Sequence, residues 1–323
     1  MTDRDELAGA IVASRYRLRA LRRGGADSTS VFEATDTRNG ASVVVRLVTI
    51  DQQPADAIEA LKRQLLSVAG VSHPVLVSPL DWGEAVVDGK KFVFVVTERI
   101  DAVSLRELLD RGRRLSVSQA VVLALDLCRA LHHLHQNGMV HGDVRPANVF
   151  VSTDSRARLA GLGVKGVGGD LTTMSIEQAR YAAPDFATDA TPTPASDMYA
   201  LALTVLETIT GEVPNTADSV AVTLANRAGK LLPVSADIGA IAVPIEKAGR
   251  PEVVDRATAL EFGQALAQLA SRLPSPEPIE SLTSESFRDT ITRTLEAVAV
   301  APQPAAQTAP ASTPPVPISV DVA

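Results

Sequence analysis

The sequence predicts an α+β fold in which strands gather in the first hundred residues and helices follow them, rather than the two alternating. Two observations carry this: runs rich in β-branched residues bounded by turn signals up to about residue 100, and a sustained 4,3-spaced apolar stripe after residue 115. YRLRAL (16–21) and SVFEATD (30–36) read as the first strands. ASVVVRLVTI (41–50) is a buried run, and Asn39-Gly40 before it marks a hairpin. From Ala55 to Ala69 the period changes, with Ile58, Leu61, Leu65 and Val68 on one helical face. Strands resume at KFVFVVTERI (91–100), after the turn Asp88-Gly89. From Leu105 the chain turns helical: Ala120, Ala124, Leu127, Leu131 and Leu134 form the stripe of a long helix that Asn137-Gly138 stops.

Composition narrows the function. Lys and Arg number 31 against 38 Asp and Glu, a net charge of −7, which argues against a general binder of nucleic acid or anionic membrane. Aromatic residues at 3% leave little for stacking on single-stranded nucleic acid. The single cysteine, Cys128, and five histidines make no spaced metal box, so no metal site is expected. The polar start MTDRDELAG is no secretory signal and no apolar run suits a transmembrane helix, so the expected location is cytoplasmic.

Prolines crowd from Pro274 onward, so residues 14–270 read as the globular domain, 1–13 as an N-terminal extension and 271–323 as a flexible Pro/Ala-rich tail. Within the tail, 285–298 reads either as a short amphipathic helix, with Phe287, Ile291 and Leu295 on one face, or as weakly ordered chain.

After the long helix comes MVHGDVRPANV (139–149), which resembles the HRDxKxxN catalytic loop of Hanks-type Ser/Thr protein kinases. Other landmarks fall in order around it. His73-Pro74 is similar to the HP pair of the family, and VTERIDAVSL (96–105) to the hinge between its lobes. ARYAAPD (179–185) resembles the APE region, SDMYAL (196–201) and TGEVP (210–214) the start and end of the following helix, and Arg256 stands where the family's arginine pairs with the APE acid, here Asp185. The resemblance spans about residues 14–270 and implies a two-lobed kinase-like fold, with an N-lobe at 14–99 and a C-lobe at 100–270.

The resemblance also shows what has changed. The nucleotide cleft it implies would be built from Gly24, Val31, Val44, Arg46, Gln64, Glu98, Ile100 and Gly161. In the glycine-rich loop, GGADSTSV (24–31), Ala26 and Thr29 replace two glycines and crowd the phosphate approach. Arg46 stands for the lysine of V-A-I-K and Gln64 for its glutamate partner, so their ion pair becomes at best a neutral hydrogen bond. LAGLGV (159–164) takes the place of LxDFG, so the metal-binding aspartate is Gly161, and Asn148 alone is a weak ligand for Mg²⁺. Gly142 replaces the HRD arginine, Arg145 the catalytic-loop lysine, and Gln178 the threonine of the peptide-binding loop. Asp143 keeps the base position and is expected to serve as a structural carboxylate. His141 and Leu162, with Val68, keep the apolar spine, and Asp197 keeps the brace of the catalytic loop.

The resemblance thus implies a pseudokinase, a regulatory scaffold with no cofactor expected. It is closest in style to actinobacterial kinases and to the pseudokinase domain that follows the MviN-type lipid II flippase, which would imply cell-wall regulation and recruitment to the membrane through partners. Thr290, Thr292 and Thr294 are expected phosphosites for a companion Ser/Thr kinase, readable by a forkhead-associated (FHA) domain. The other reading is an atypical active Ser/Thr kinase using ATP with Mg²⁺ or Mn²⁺, Asp143 as base and Asn148 as metal ligand. His132, His133, His135 and His141 read as packing and surface residues, and Arg15, Arg17, Arg19, Arg22 and Arg23 as a solvated strand face. Thr172, Thr173 and Ser175 read equally as activation-segment phosphosites, for which Gly142 leaves no arginine receptor, or as exposed loop hydroxyls.

Overall fold

The computed structural model describes residues 7–24, 29–51, 53–152, 155–163, 174–189 and 191–279. Ala26, Thr172, Thr173, the helix expected at 285–298 and the three tail threonines lie outside the described residues.

The first part is a six-stranded antiparallel sheet of β1 (Ile11–Val12), β2 (Tyr16–Gly24), β3 (Thr29–Asp36), β4 (Ser42–Thr49), β5 (Pro79–Val87) and β6 (Lys90–Glu98), in the order β1-β2-β3-β4-β6-β5. Alternation sorts side chains between its two faces. Val43, Val45 and Leu47 of β4 join Phe92, Phe94 and Val96 of β6 in one apolar cluster. Val48 joins Val93 and Val95 in another, under α1 (Ala55–Ser67), which contributes Leu61 and Leu65. Lys62 ties this helix to β5 through an ion pair with Glu84. The sheet is closed by charge: Arg15 pairs with Asp36 at 2.7 Å and Asp81 at 3.3 Å, and the Tyr16 hydroxyl donates to Asp81 at 2.5 Å. Arg15 is therefore part of an ion-pair network, whereas Arg17 and Arg19 face solvent.

The strand β5 has no counterpart in the sequence reading. Its run PLDWGEAVV opens on proline, which lacks a donor, and Gly83 interrupts it because the Phe94 ring lies 3.2 Å from where a Cβ would sit.

The second part is helical, with a small sheet of β7 (Val103–Ser104), β8 (Val149–Val151) and β9 (Ala157–Leu159). Its helices are α2 (Leu105–Asp110), α3 (Val117–Gln136), α4 (Ile176–Ala179), α5 (Pro194–Thr210), α6 (Val220–Arg227), α7 (Ala242–Ala248) and α8 (Ala259–Ala270). Capping boxes start α2 (Ser104, Glu107) and α3 (Ser116, Gln119) by satisfying otherwise unpaired amides. The helix α5, buried on every side from Ser196 to Thr208, forms the centre of this part, and α3 packs against it and against α8. Asp126 of α3 is buried and accepts two bonds from Arg156 at 2.7 Å and one from the Ala157 amide at 3.1 Å, fixing β9 to the helix. Among the described residues no helix is long and apolar enough to cross a membrane.

The packed body extends past residues 14–270 at both ends. Leu7 and Val12 lie in the sheet's core, and Ile279 lies in the helical one, with the Gln119 side chain donating to the Glu277 carbonyl at 2.8 Å. Ending the chain after Ser271 instead of after Ile279 is expected to cost about 1.5–3 kcal/mol, the burial of one isoleucine, or about 3–10 °C in Tm. Thermal unfolding of the two lengths measures this, and equal midpoints would place the boundary at Ser271 after all.

Candidate functional site

The site is built on the chain that follows α3. Residues 139–145 form a loop and Pro146–Asn148 a 3-10 turn. Asp197, in the first turn of α5 and 1% exposed, accepts the amides of His141 at 2.9 Å and Gly142 at 2.7 Å, and meets His135 Nε2 at 2.9 Å. Gly142 has φ +76°, where a side chain is strained, so the glycine suits the turn that this brace imposes.

Both carboxylate oxygens of Asp143 are engaged. Oδ1 accepts from Arg145 Nε at 2.7 Å and Oδ2 from Asn148 Nδ2 at 2.6 Å; Nδ2 also donates to the Asp143 carbonyl at 2.8 Å. Burial pushes this carboxyl pKa up, and the charge and hydrogen bond of Arg145, helped by Asn148, more than reverse it, leaving it below the ordinary carboxylate value. Arg145 is itself shared, with Nη1 3.0 Å from Glu177 of α4. The Asp143 carboxylate is thus an ion-paired anion with each oxygen held by a neighbour in the same loop.

The place of the metal-binding acid offers no side-chain oxygen. Gly161 has φ +93°, and a Cβ there would lie 3.1 Å from both Cγ and Nδ2 of Asn148. Among the described residues there is no group of three or more His, Cys, Asp or Glu side chains able to hold a metal ion. A divalent cation such as Mg²⁺ asks for several oxygen donors, and what stands at the carboxylate position is a glycine, beside an Asn148 whose Nδ2 donates to Asp143 and whose Oδ1 is a single neutral oxygen. These residues do not fit the ion.

Around this centre the cleft positions divide. Val31 lies opposite Arg46 in the β3–β4 register, with Val44 nearby on the same strand, so those three are brought together. Gly24 pairs with Ser30 at the open end of β2–β3. Glu98, opposite Val43, is bound bidentately by Arg158 at 2.5 and 3.0 Å, and Arg158 also donates to the Leu76 carbonyl; Ile100 follows half-buried. The Gln64 side chain makes no hydrogen bond among the described residues, so no Arg46–Gln64 bond replaces the family's ion pair. Instead α1 is placed by packing: a Cβ on Gly163 would meet Val68 at 2.6 Å and Leu65 at 3.3 Å. Val68 and Leu162 lie in one core, and His141 is fully buried.

The segment beyond is fixed by charges that the sequence reading did not single out. Glu207, buried in α5, accepts from Tyr181 at 2.6 Å and Arg106 at 2.8 Å. A lone acid in the apolar run MYALALTVLETIT is a signal that could have found this, since a buried charge needs a partner. Arg227 is buried with no carboxylate. It donates to the carbonyls of Ala179, Arg180 and Ala182 at 2.6–2.9 Å, and burial lowers its pKa to about 10. Arg256 pairs with Asp185 at 2.5 Å and lies over the Tyr199 ring. Gln178 closes a capping box with Ser175, while His133 stacks on His73.

Comparison with family models matches residues 22–296 to the protein kinase domain. Among curated proteins, one of Streptomyces coelicolor named as a probable serine/threonine-protein kinase is 31% identical over 216 residues, 64% of this chain and 32% of that protein. Serine/threonine-protein kinase PknB of Mycobacterium tuberculosis is 30% identical over 216 residues, and PknB of Mycobacterium leprae 29% over 215, each covering 64% of this chain and 34% of the relative. The chain spans about a third of the length of these relatives.

Burial lowers the His141 pKa from its ordinary 6.5, so the folded protein keeps this ring neutral where the unfolded chain takes up a proton. Stability is therefore expected to fall as pH drops below about 6.5, by at most about 1.4 kcal/mol per pH unit for this group, with His73 adding in the same direction for the same reason. Urea midpoints at pH 5, 6 and 7 check this, and His141→Phe should shrink the slope.

Proposed function

The chain belongs to the protein kinase domain family, and from that premise we propose that it acts as a pseudokinase, a regulatory scaffold that recruits protein partners. One observation carries the reading. Gly161 stands where the family holds its metal with a carboxylate, which leaves the neutral Oδ1 of Asn148 beside an Asp143 already paired with Arg145. Phosphoryl transfer depends on a positioned metal and nucleotide more than on the base, so a retained aspartate with both oxygens engaged does not restore it. The chain's own residues hold an ion-paired, apolar-backed platform on which a partner protein can dock.

In this reading the protein works in the cytoplasm of a bacterial cell, in signalling or cell-wall regulation. A companion Ser/Thr kinase would modify Thr290, Thr292 or Thr294, and a forkhead-associated domain would read the product. The second reading, an active Ser/Thr kinase, is favoured by the names of its relatives and by the presence of Asp143 and Asn148.

Thermal unfolding with millimolar ATP and Mg²⁺, Mn²⁺ or chelator separates the two. A ligand at about 100 times its Kd adds about 2.7 kcal/mol, several degrees for a domain of this size, and no metal-dependent gain is expected. Transfer from labelled ATP is expected to be absent with either metal. Metal-dependent transfer that Asp143→Asn abolishes would establish the active kinase instead. The tail assignment is checked by mapping sites after treatment with a companion kinase, and modification lying wholly outside 283–294 would remove it.

A further inference from the structure

Residues 73–77, which lie between α1 and β5, join the sheet to the helical part, because they are stitched to β9. The Leu159 amide donates to the Val75 carbonyl at 2.7 Å, the Val77 amide donates to the Leu159 carbonyl at 2.9 Å, and Arg158 donates to the Leu76 carbonyl at 3.2 Å. His73 shapes the start of this segment. Its ring Nδ1 accepts the Val75 amide at 3.2 Å across Pro74, and Val75, Leu76 and Val77 are buried. An acceptor at Nδ1 makes the ring neutral, with its proton on Nε2. A second proton has to enter at the very atom that holds the Val75 amide, and it would leave that buried amide unpaired.

The surroundings oppose that proton as well. The His73 ring stacks on His133 of α3, with centroids 5.2 Å apart and planes 27° apart. The charged groups that α3 turns toward His73 are Arg129 and Asp126, and Asp126 is itself engaged by Arg129 at 3.0 Å and by Arg156 at 2.7 Å. On the β9 side, Arg158 is paired with Glu98. Burial, then His133 and Arg129, holds the His73 pKa below its ordinary 6.5, and Asp126 pulls the other way without reversing it.

We propose that His73 and His133 form a proton-operated latch between the sheet and the helical part. With both rings neutral, the stack is an uncharged contact and the Val75 amide is paired, so 73–77 stays fastened to β9. A proton on His73 removes the acceptor and sets a cation against His133 and Arg129, and the segment is released. The fastened state is favoured fully above about pH 6.5 and loses ground below it, because the released ring takes up the proton more readily. The release is local, and the core around α5 stays closed. The latch uses neither Asp143 nor Gly161 and works whether or not the protein transfers phosphate.

The test is hydrogen exchange of the full chain at pH 7.5 and 5.5, read by mass spectrometry and corrected for the intrinsic pH dependence of amide exchange. Protection of 73–77 is expected to lie below that of α5 at both values, as local opening requires, and to fall at least threefold at pH 5.5. One titrating group gives at most about tenfold per pH unit below 6.5. His73→Asn places a side-chain carbonyl where Nδ1 lies, in an Asn-Pro turn that suits it, and does not titrate in this range. It should keep 73–77 equally protected at the two pH values. His133→Phe keeps a ring beside His73 without its charge and should shrink the fall. The latch would be overturned by protection at 73–77 that is the same at both pH values in the wild type, or that matches α5 at both. A fall of the wild-type size in His73→Asn or in His133→Phe would overturn it equally.

Discussion

The carboxylate of Asp197 is the constraint from which the rest of the site follows. It is fixed by the first turn of a helix buried on every side, and it spends its two oxygens on consecutive amides of another segment and on a histidine of a third. Three pieces of chain are thereby held to one point in the low-dielectric interior, where an unpaired donor would cost about 1–3 kcal/mol. The turn that results presents Asp143, Arg145 and Asn148 close enough to satisfy one another. The scaffold of a catalytic loop is maintained while the groups it displays bond to one another.

The same division between scaffold and chemistry appears at α1. Where the family uses an ion pair to hold this helix against the sheet, Gln64 makes no side-chain bond among the described residues. The helix is located by apolar contact with the sheet, by Lys62 against Glu84, and by the close passage of Gly163 beside Val68 and Leu65. Packing of this kind is short-ranged and insensitive to salt, and it does not depend on whether a nucleotide is present.

Much of this was legible in the sequence, for identifiable reasons. Periodicity located α1 and α3, because each carries an apolar stripe into the core, and the Asn39-Gly40 and Asp88-Gly89 turns announced the hairpins by their need for left-handed backbone. The motif at 141–148 located the loop, and its departures from the family pattern located the missing carboxylate. What escaped was long-range. β5 hides behind a proline and a glycine whose purpose is a ring from the next strand. Arg158 finds Glu98 across 60 positions and Arg106 finds Glu207 across 101, and no local pattern encodes such pairs. The ends of the packed body were equally obscure, since single residues, Leu7 and Ile279, carry them.

Arg227 has a consequence of another kind. Its guanidinium lies in the interior with backbone carbonyls as its hydrogen-bond partners, so the loop at 179–182 and the end of α6 each complete the other. If either moved away alone, a buried cation would lose its three short bonds to carbonyls and keep only the longer one to Pro214, an unfavourable change. This couples the opening of one segment to that of the other. In native-state hydrogen exchange the two segments are expected to be protected together, and a partner that grips one of them would steady the other as well.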